Sequence, residues 1–371
     1  MSRTMTPRDT PATPSTPATP ATPATAPLLQ VQDLNVHFPR PKASWFKPAE
    51  VVRAVDGVSF SIQRGTTLAL VGESGSGKTT TALAVMRLAP ITAGQVKLGD
   101  AQLDTLQGEA LRLARRRFQI IFQDPFSSLN PRERAGAAVR APLDLMQVGT
   151  PETREARVAE LFTQVGLRPE QQQLFPHQFS GGQRQRINIA RALATNPELV
   201  VCDEPVSALD IAIRAQILNL LVRLQKELGL TYLFISHDMA VVEHICDEIA
   251  VMYLGQIVER APRQAFFANP LHPYSVALMS AVPTVQGGRS RAAQRIKLSG
   301  DPPSPINPPQ GCRFAGRCPS AEPACSTELP PLRELAPQHW VRCRRVDLVK
   351  HLPVAPLKLP QAPKTPPQTH V

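Results

Sequence analysis

The sequence predicts an α/β protein with a mostly parallel sheet, and two observations carry that prediction. Short apolar runs at 118–122, 198–202, 231–235 and 248–253 follow one another, and helical patterns at 183–195, 211–227 and 239–245 separate the later ones. Strands that alternate with helices argue a parallel sheet covered on both faces. The earlier run Thr67–Val71 leads directly into Gly72-Glu73-Ser74-Gly75-Ser76-Gly77-Lys78-Thr79. That stretch meets the G-x-x-x-x-G-K-[ST] pattern in full, between a strand and a helix, which is the context the pattern needs.

In chain order, residues 10–26 repeat Thr-Pro-Ala. Such a tract has little apolar surface to offset its ordering entropy, so 1–27 is expected to be a disordered tail. Residues 28–36 and 57–63 alternate apolar and polar, as half-buried strands do. Thr67–Val71 reads as a strand buried on both faces, followed by a helix from about 77 to 88. Between Pro125 and Phe179 the strand signal disappears, and 133–148 and 151–166 look helical, so an inserted helical subdomain is expected there. Beyond 265 the composition shifts toward proline and cysteine. Residues 28–265 are expected to form the main domain, 266–345 a small extension, and 346–371 a proline-rich tail.

Bulk properties restrict the partners. The 371 residues carry a formal net charge of +11, which favours anionic company: nucleotide, nucleic acid or an acidic membrane face. No apolar run reaches 18 residues, and the N-terminus lacks the apolar core of a secretory signal. The chain is therefore expected in the cytosol, where disulfides do not accumulate.

The chemistry follows from residue type and place. Gly72, Glu73, Ser74, Gly75, Ser76, Gly77, Lys78, Thr79 and Thr80 form a turn whose N–H groups and helix N-terminus suit phosphate oxygens. Lys78 is expected at the β- and γ-phosphates, and the Thr79 hydroxyl on Mg²⁺. Asp203 and Glu204 end the apolar strand 198–202. Two carboxylates there are costly unless used: Asp203 to hold Mg²⁺, Glu204 as general base toward the attacking water. Cys312, Cys318, Cys325 and Cys343 follow C-x5-C-x6-C-x17-C, within reach of one tetrahedral centre but without the C-x2-C pairs of a zinc ribbon. Cys202 and Cys246 sit in apolar runs and read as core residues.

These elements resemble the nucleotide-binding subunit of an ATP-binding-cassette (ABC) transporter. Phe179-Ser180-Gly181-Gly182-Gln183 is similar to the family signature, with Phe in place of the more usual Leu. The resemblance implies a P-loop ABC cassette: a mostly parallel core, an antiparallel β subdomain and an inserted helical subdomain. It implies that Ser180, Gly181, Gly182 and Gln183 of one subunit cap ATP on the phosphate loop of another. It makes Gln123 the Q-loop residue near γ-phosphate and metal, Asp210 of Ser207-Ala208-Leu209-Asp210 the D-loop residue, and His237 the γ-phosphate sensor. Adenine is expected to stack on an aromatic. Phe38 lies at the matching point, with Trp45 and Phe46 as rivals and ordinary core packing as an alternative for Phe38.

Ala54-Val55-Asp56-Gly57-Val58-Ser59-Phe60, Asn269-Pro270-Leu271-His272-Pro273-Tyr274 and Ser304 to Cys312 resemble the dipeptide/oligopeptide importer ATPases. Members of that group can carry a [4Fe–4S] cluster on the four cysteines; zinc or unliganded thiols are the alternatives. The resemblance implies two membrane permease subunits, a second ATPase chain in a heterodimer, an external substrate-binding protein, and residence on the cytoplasmic face of the inner membrane. Nickel and glutathione importers share this kind of ATPase. A soluble cassette acting on nucleic acid or the ribosome typically has two cassettes or a long coiled coil. This chain has one cassette, with only about 100 residues between Lys78 and Ser180, so no nucleic-acid partner is expected.

Overall fold

The computed structural model describes residues 26–40, 50–281, 296, 298 and 300–346. The expectations for Trp45, Phe46 and most of both tails lie outside these residues.

Two sheets organise the described chain. The larger has the order β11-β12-β10-β9-β3-β8-β7-β6. Its parallel part consists of β6 (Phe118–Ile121), β7 (Leu199–Asp203), β8 (Thr231–Ser236), β3 (Thr67–Val71) and β9 (Glu248–Tyr253). β3, β7 and β8 are buried along their whole length, as expected for strands covered on both faces. β10 (Gln256–Pro262) turns back antiparallel on β9. The hairpin β11 (Arg333–Ala336) and β12 (His339–Val341) then joins through β12. Residues 333–341 thus extend the same sheet that carries the phosphate loop.

The smaller, antiparallel sheet has the order β2-β1-β4-β5, from β1 (Leu29–Pro39), β2 (Val51–Ile62), β4 (Ala93–Leu98) and β5 (Ala101–Gln102). β2 begins at Val51, earlier than the alternation at 57–63 suggests, because register shifts between β1 and β2 interrupt the two-residue pattern. One apolar core fuses the two sheets, joining Val31, Val58 and Phe60 to Leu70, Val201 and Ile235.

No strand lies between 122 and 198. α3 (Ala135–Leu145) and α4 (Pro151–Gln164) fill much of that span. They share a core with α5 (Gly181–Leu193) and α6 (Ile211–Leu228), through Val139, Leu161, Phe162, Ile187 and Leu221. α1 (Lys78–Val85) and α7 (Met239–Ile245) follow β3 and β8, and α2 (Gly108–Ala114) precedes β6. α8 (Arg263–Ala268) and α9 (Pro273–Ser280) follow β10. They pack Phe266, Phe267 and Tyr274 with Tyr253 and Phe314. Cys202 and Cys246 are core residues, at 0% and 1% exposure.

Candidate functional site: a phosphate loop facing two carboxylates

β3 delivers the chain into the phosphate loop at its C-terminal end. Gly77, the N-cap of α1, has φ 103°, in the region that favours glycine. A Cβ there would stand 2.3 Å from the carbonyl oxygen of Ala54, so the loop must pass beneath β2 without a side chain. The first turn of α1 holds no acidic residue, leaving its positive end free for an anion.

Lys78 is buried at 5% exposure, and its Nζ donates to the carbonyls of Gly72 (2.9 Å) and Glu73 (2.8 Å). Burial lowers its pKa, against the pull of Glu204, Asp203 and Glu73. Thr79 Oγ1 donates to Asp203 Oδ1 at 3.1 Å, which joins the loop to the end of β7. Burial raises the Asp203 pKa; the Thr79 hydrogen bond opposes this, and neighbouring Glu204 adds to it. A cation held by Thr79 and Asp203 would offset the burial of the Asp203 carboxylate and its repulsion from Glu204. Thr80 is half-buried in the first turn of α1.

Glu204 stands at the centre of the site. Gln123 Nε2 donates to one of its carboxylate oxygens at 3.1 Å, and His237 Nδ1 lies 3.0 Å from the other. Gln123 follows β6, Glu204 follows β7 and His237 follows β8, so three neighbouring parallel strands aim three side chains at one point. Glu204 has φ 47°, a left-handed backbone in a non-glycine residue. Its N–H donates to the Ile235 carbonyl at 3.1 Å, which helps hold that conformation.

Ser180 caps α5, whose first turn holds no acid. Its Oγ accepts the Gln183 N–H (3.3 Å), and Gln183 Oε1 accepts the Ser180 N–H (3.0 Å). This capping box sets the helix end rigidly while Ser180 itself stays exposed. A Cβ on Gly182 would stand 2.5 Å from Ile213 Cγ2, so α5 and α6 meet closely there; Gly181 faces Leu209 and Phe126. Phe179 is 4% exposed and belongs to the helical core, so Phe replaces Leu as a packing residue. Asp210 is the N-cap of α6, but its side chain makes no capping hydrogen bond. Beside it Ile211 is 84% exposed.

Phe38 sits on β1 opposite Val52. At 37% exposure it is not a core residue, which removes ordinary packing as its explanation.

The four cysteines line one pocket with His272, Phe314 and Arg345. The Arg345 N–H donates to Cys343 Sγ at 3.3 Å, and burial pushes the Cys343 thiol up to about 11. Among the described residues no three His, Cys, Asp or Glu side chains converge closely enough for a single metal ion. A tetrahedral zinc needs four sulfurs about 2.3 Å from one point, so the arrangement does not fit zinc. The four thiols share this pocket, and one backbone N–H, that of Arg345, is directed at sulfur.

Sequence reasoning missed the contacts from the extension to the nucleotide loop. The Glu73 N–H donates to Tyr274 Oη at 2.8 Å, and Arg317 holds both Glu73 carboxylate oxygens at 2.7 and 3.2 Å. Asp56 of β2 is held by Arg313 and by His37. These partners lie more than 200 residues apart for Glu73, so no local pattern announces them.

Strand order, glycine turn and paired carboxylates together define a nucleoside-triphosphate-binding ATPase of the cassette type. Comparison with known proteins narrows the class. The ABC transporter family profile matches residues 55–207, and the profile "Oligopeptide/dipeptide transporter, C-terminal region" matches 258–325. The oligopeptide transport ATP-binding protein AppF of Bacillus subtilis is 47% identical over 317 residues, 85% of this chain and 96% of that protein. The dipeptide transport ATP-binding protein DppF of Escherichia coli is 47% identical over 321 residues, 86% of this chain and 95% of that one. Among solved structures, the ATP-binding cassette MJ0796, a dimer bound to ADP and phosphate, matches with a TM-score of 0.56 at 28% identity. That match covers 63% of this chain and 98% of MJ0796. The chain belongs to the ABC transporter family, in its oligopeptide/dipeptide branch, as an ATP-binding subunit.

Proposed function

We propose that this chain hydrolyses ATP to drive import of dipeptides or oligopeptides through separate permease subunits. The observation that carries the reading is the joint hold of Gln123 and His237 on the two oxygens of Glu204, beside the Thr79–Asp203 contact. Peptide cargo is supported by the match over 258–325 and by the peptide-transport relatives.

Lys78, the loop N–H groups and the α1 terminus bind the β- and γ-phosphates. Thr79 and Asp203, with Gln123 alongside, would hold Mg²⁺, which would supply positive charge to offset the negative charge of the phosphates. Glu204 takes the proton from the attacking water. His237 orients that carboxylate and senses the γ-phosphate, and Gln123 passes the state of the site to the helical subdomain. Phe38 stacks on adenine. Ser180, Gly181, Gly182 and Gln183, with Asp210, face the nucleotide bound by a second ATPase chain.

The organisation that goes with this is a cassette at 28–265, a helical subdomain at about 125–179 and an extension at 266–345. The partners are two permease subunits and a second, related ATPase, on the cytoplasmic face of the inner membrane. An external binding protein delivers the peptide. No helix among the described residues is long and apolar enough to cross a membrane. The four thiols are read as ligands of a [4Fe–4S] cluster, on the strength of their shared pocket. Iron and sulfide analysis of anaerobically purified protein tests that: four of each per chain supports it, and neither present refutes it.

Glu204→Gln tests the motor. ATP turnover is expected to fall at least about a hundredfold while the Kd for ATP stays within about threefold. Turnover at the wild-type rate contradicts the assignment. Loss of labelled dipeptide uptake on deletion of the chain tests the cargo.

A further inference from the structure

The nucleotide loop is held from outside the cassette, and the hold comes from the cysteine-bearing segment. Between Cys312 and Cys318 lie Arg313, Phe314 and Arg317. Arg317 grips Glu73 with both terminal guanidinium nitrogens, at 2.7 and 3.2 Å, and its side chain is only 9% exposed. A bidentate, charge-assisted pair so shielded fixes direction as well as distance. Tyr274 of α9 holds the same residue by its backbone N–H, at 2.8 Å.

What Glu73 does next matters for catalysis. Its carbonyl accepts the Lys78 ammonium at 2.8 Å and the Ser76 N–H at 3.2 Å. Arg317, Glu73 and Lys78 thus form a continuous line from the extension to the lysine that meets phosphate. The other end of the line is equally fixed. Phe314 is 1% exposed, with its ring 5.3 Å from Tyr253 and 5.4 Å from Tyr274. Arg313 binds Asp56 of β2 and the Leu254 carbonyl. Cys312 and Cys318, which flank the segment, both line the four-thiol pocket.

We propose that Arg317 is a positioning residue for the phosphate loop, acting through Glu73, and that the four-thiol pocket is the anchor from which it acts. The loop is then shaped for phosphate only while the segment 312–318 is in place, so the state of the thiols sets nucleotide affinity. This rests on the reading of Gly72–Thr79 as the ATP site.

Calorimetric titration of the full chain with ATP in EDTA, where hydrolysis cannot proceed, tests it. Lys78→Ala is the control: ATP binding unchanged in that variant means the site reading itself fails. With that control behaving, Arg317→Ala is expected to weaken ATP binding roughly tenfold, as loss of a charge-assisted pair implies. Glu73→Ala is expected to do the same, and the double variant no more than either single one, because one interaction is removed in all three. Arg317→Lys restores part of the loss, keeping the charge without the fork. Cys318→Ser weakens binding in the wild-type background and adds nothing to Arg317→Ala. Should Arg317→Ala fail to fold on a circular-dichroism melt, Glu73→Gln, half-exposed and isosteric, carries the same comparison. An ATP affinity within twofold of wild type in folded Arg317→Ala and Glu73→Ala overturns the proposal. So does full additivity of Cys318→Ser with Arg317→Ala, for the part that concerns the thiols.

Discussion

Glu204 illustrates how much chemistry one backbone angle can set. Its left-handed φ of 47° turns the carboxylate from the β7 strand end toward Gln123 and His237, away from the Thr79-bound Asp203 just before it. Two adjacent acids therefore face different partners. At this scale Phe38 gives a separate prediction. Replacing it with Ala is expected to weaken ATP binding roughly fivefold or more, since base–aromatic stacking is worth about 1–3 kcal/mol. Thermal stability should hardly change, because the ring is already 37% exposed. Fluorescence titration with ATP measures this, and unaltered affinity moves the adenine platform elsewhere.

Helix ends and strand ends carry the functional groups, and at that level much of the architecture was legible in the sequence. β3, β7 and β8 announced themselves as uninterrupted apolar runs, because both of their faces are covered. The helical pattern at 183–195 located α5, whose start the capping box of Ser180 and Gln183 sets two residues earlier, at Gly181. β10 was not legible. It carries Glu259, whose carboxylate is 0% exposed and accepts hydrogen bonds from the Leu271 and His272 N–H groups, with His339 Nε2 at 2.7 Å on Oε1. A charge inside a strand is stable only through such distant partners, and none of them is visible locally. The β11–β12 hairpin escaped for a similar reason: β11 is exposed throughout, so it has no apolar face to read.

His272 makes the extension's junction sensitive to pH. It is 1% exposed, caps α9 by accepting the Tyr274 N–H at 3.1 Å, and burial lowers its pKa to about 4, against the pull of Glu259. The unfolded chain, with His near 6.5, binds the proton more readily. Stability contributed by neutral His272 is therefore complete above pH 6.5 and falls away as pH drops toward 4, by up to roughly 3 kcal/mol. His272→Asn keeps an acceptor at the N-cap and is expected to flatten that part of the pH profile of the melting temperature. A variant profile as steep as wild type assigns the acid sensitivity to other groups.

Across the whole molecule, the residues proposed for nucleotide chemistry fall into two spatial sets. Lys78, Thr79, Asp203, Gln123, Glu204 and His237 gather around the C-terminal ends of the parallel strands. Ser180 at the head of α5, with Asp210 and the 84% exposed Ile211 at the head of α6, makes no hydrogen bond to that set and presents polar and apolar surface outward. On the proposed reading, a second copy of the fold completes each site, and ATP binding is then also the event that joins two cassettes. The most direct measurement is sedimentation of the Glu204→Gln chain, alone and with its partner ATPase, before and after addition of ATP and Mg²⁺. Free chains are expected without nucleotide and a two-cassette complex with it, lost in Ser180→Arg although each chain still binds ATP. Saturating ATP binding without association in either mixture, or association indifferent to Ser180→Arg, contradicts this expectation.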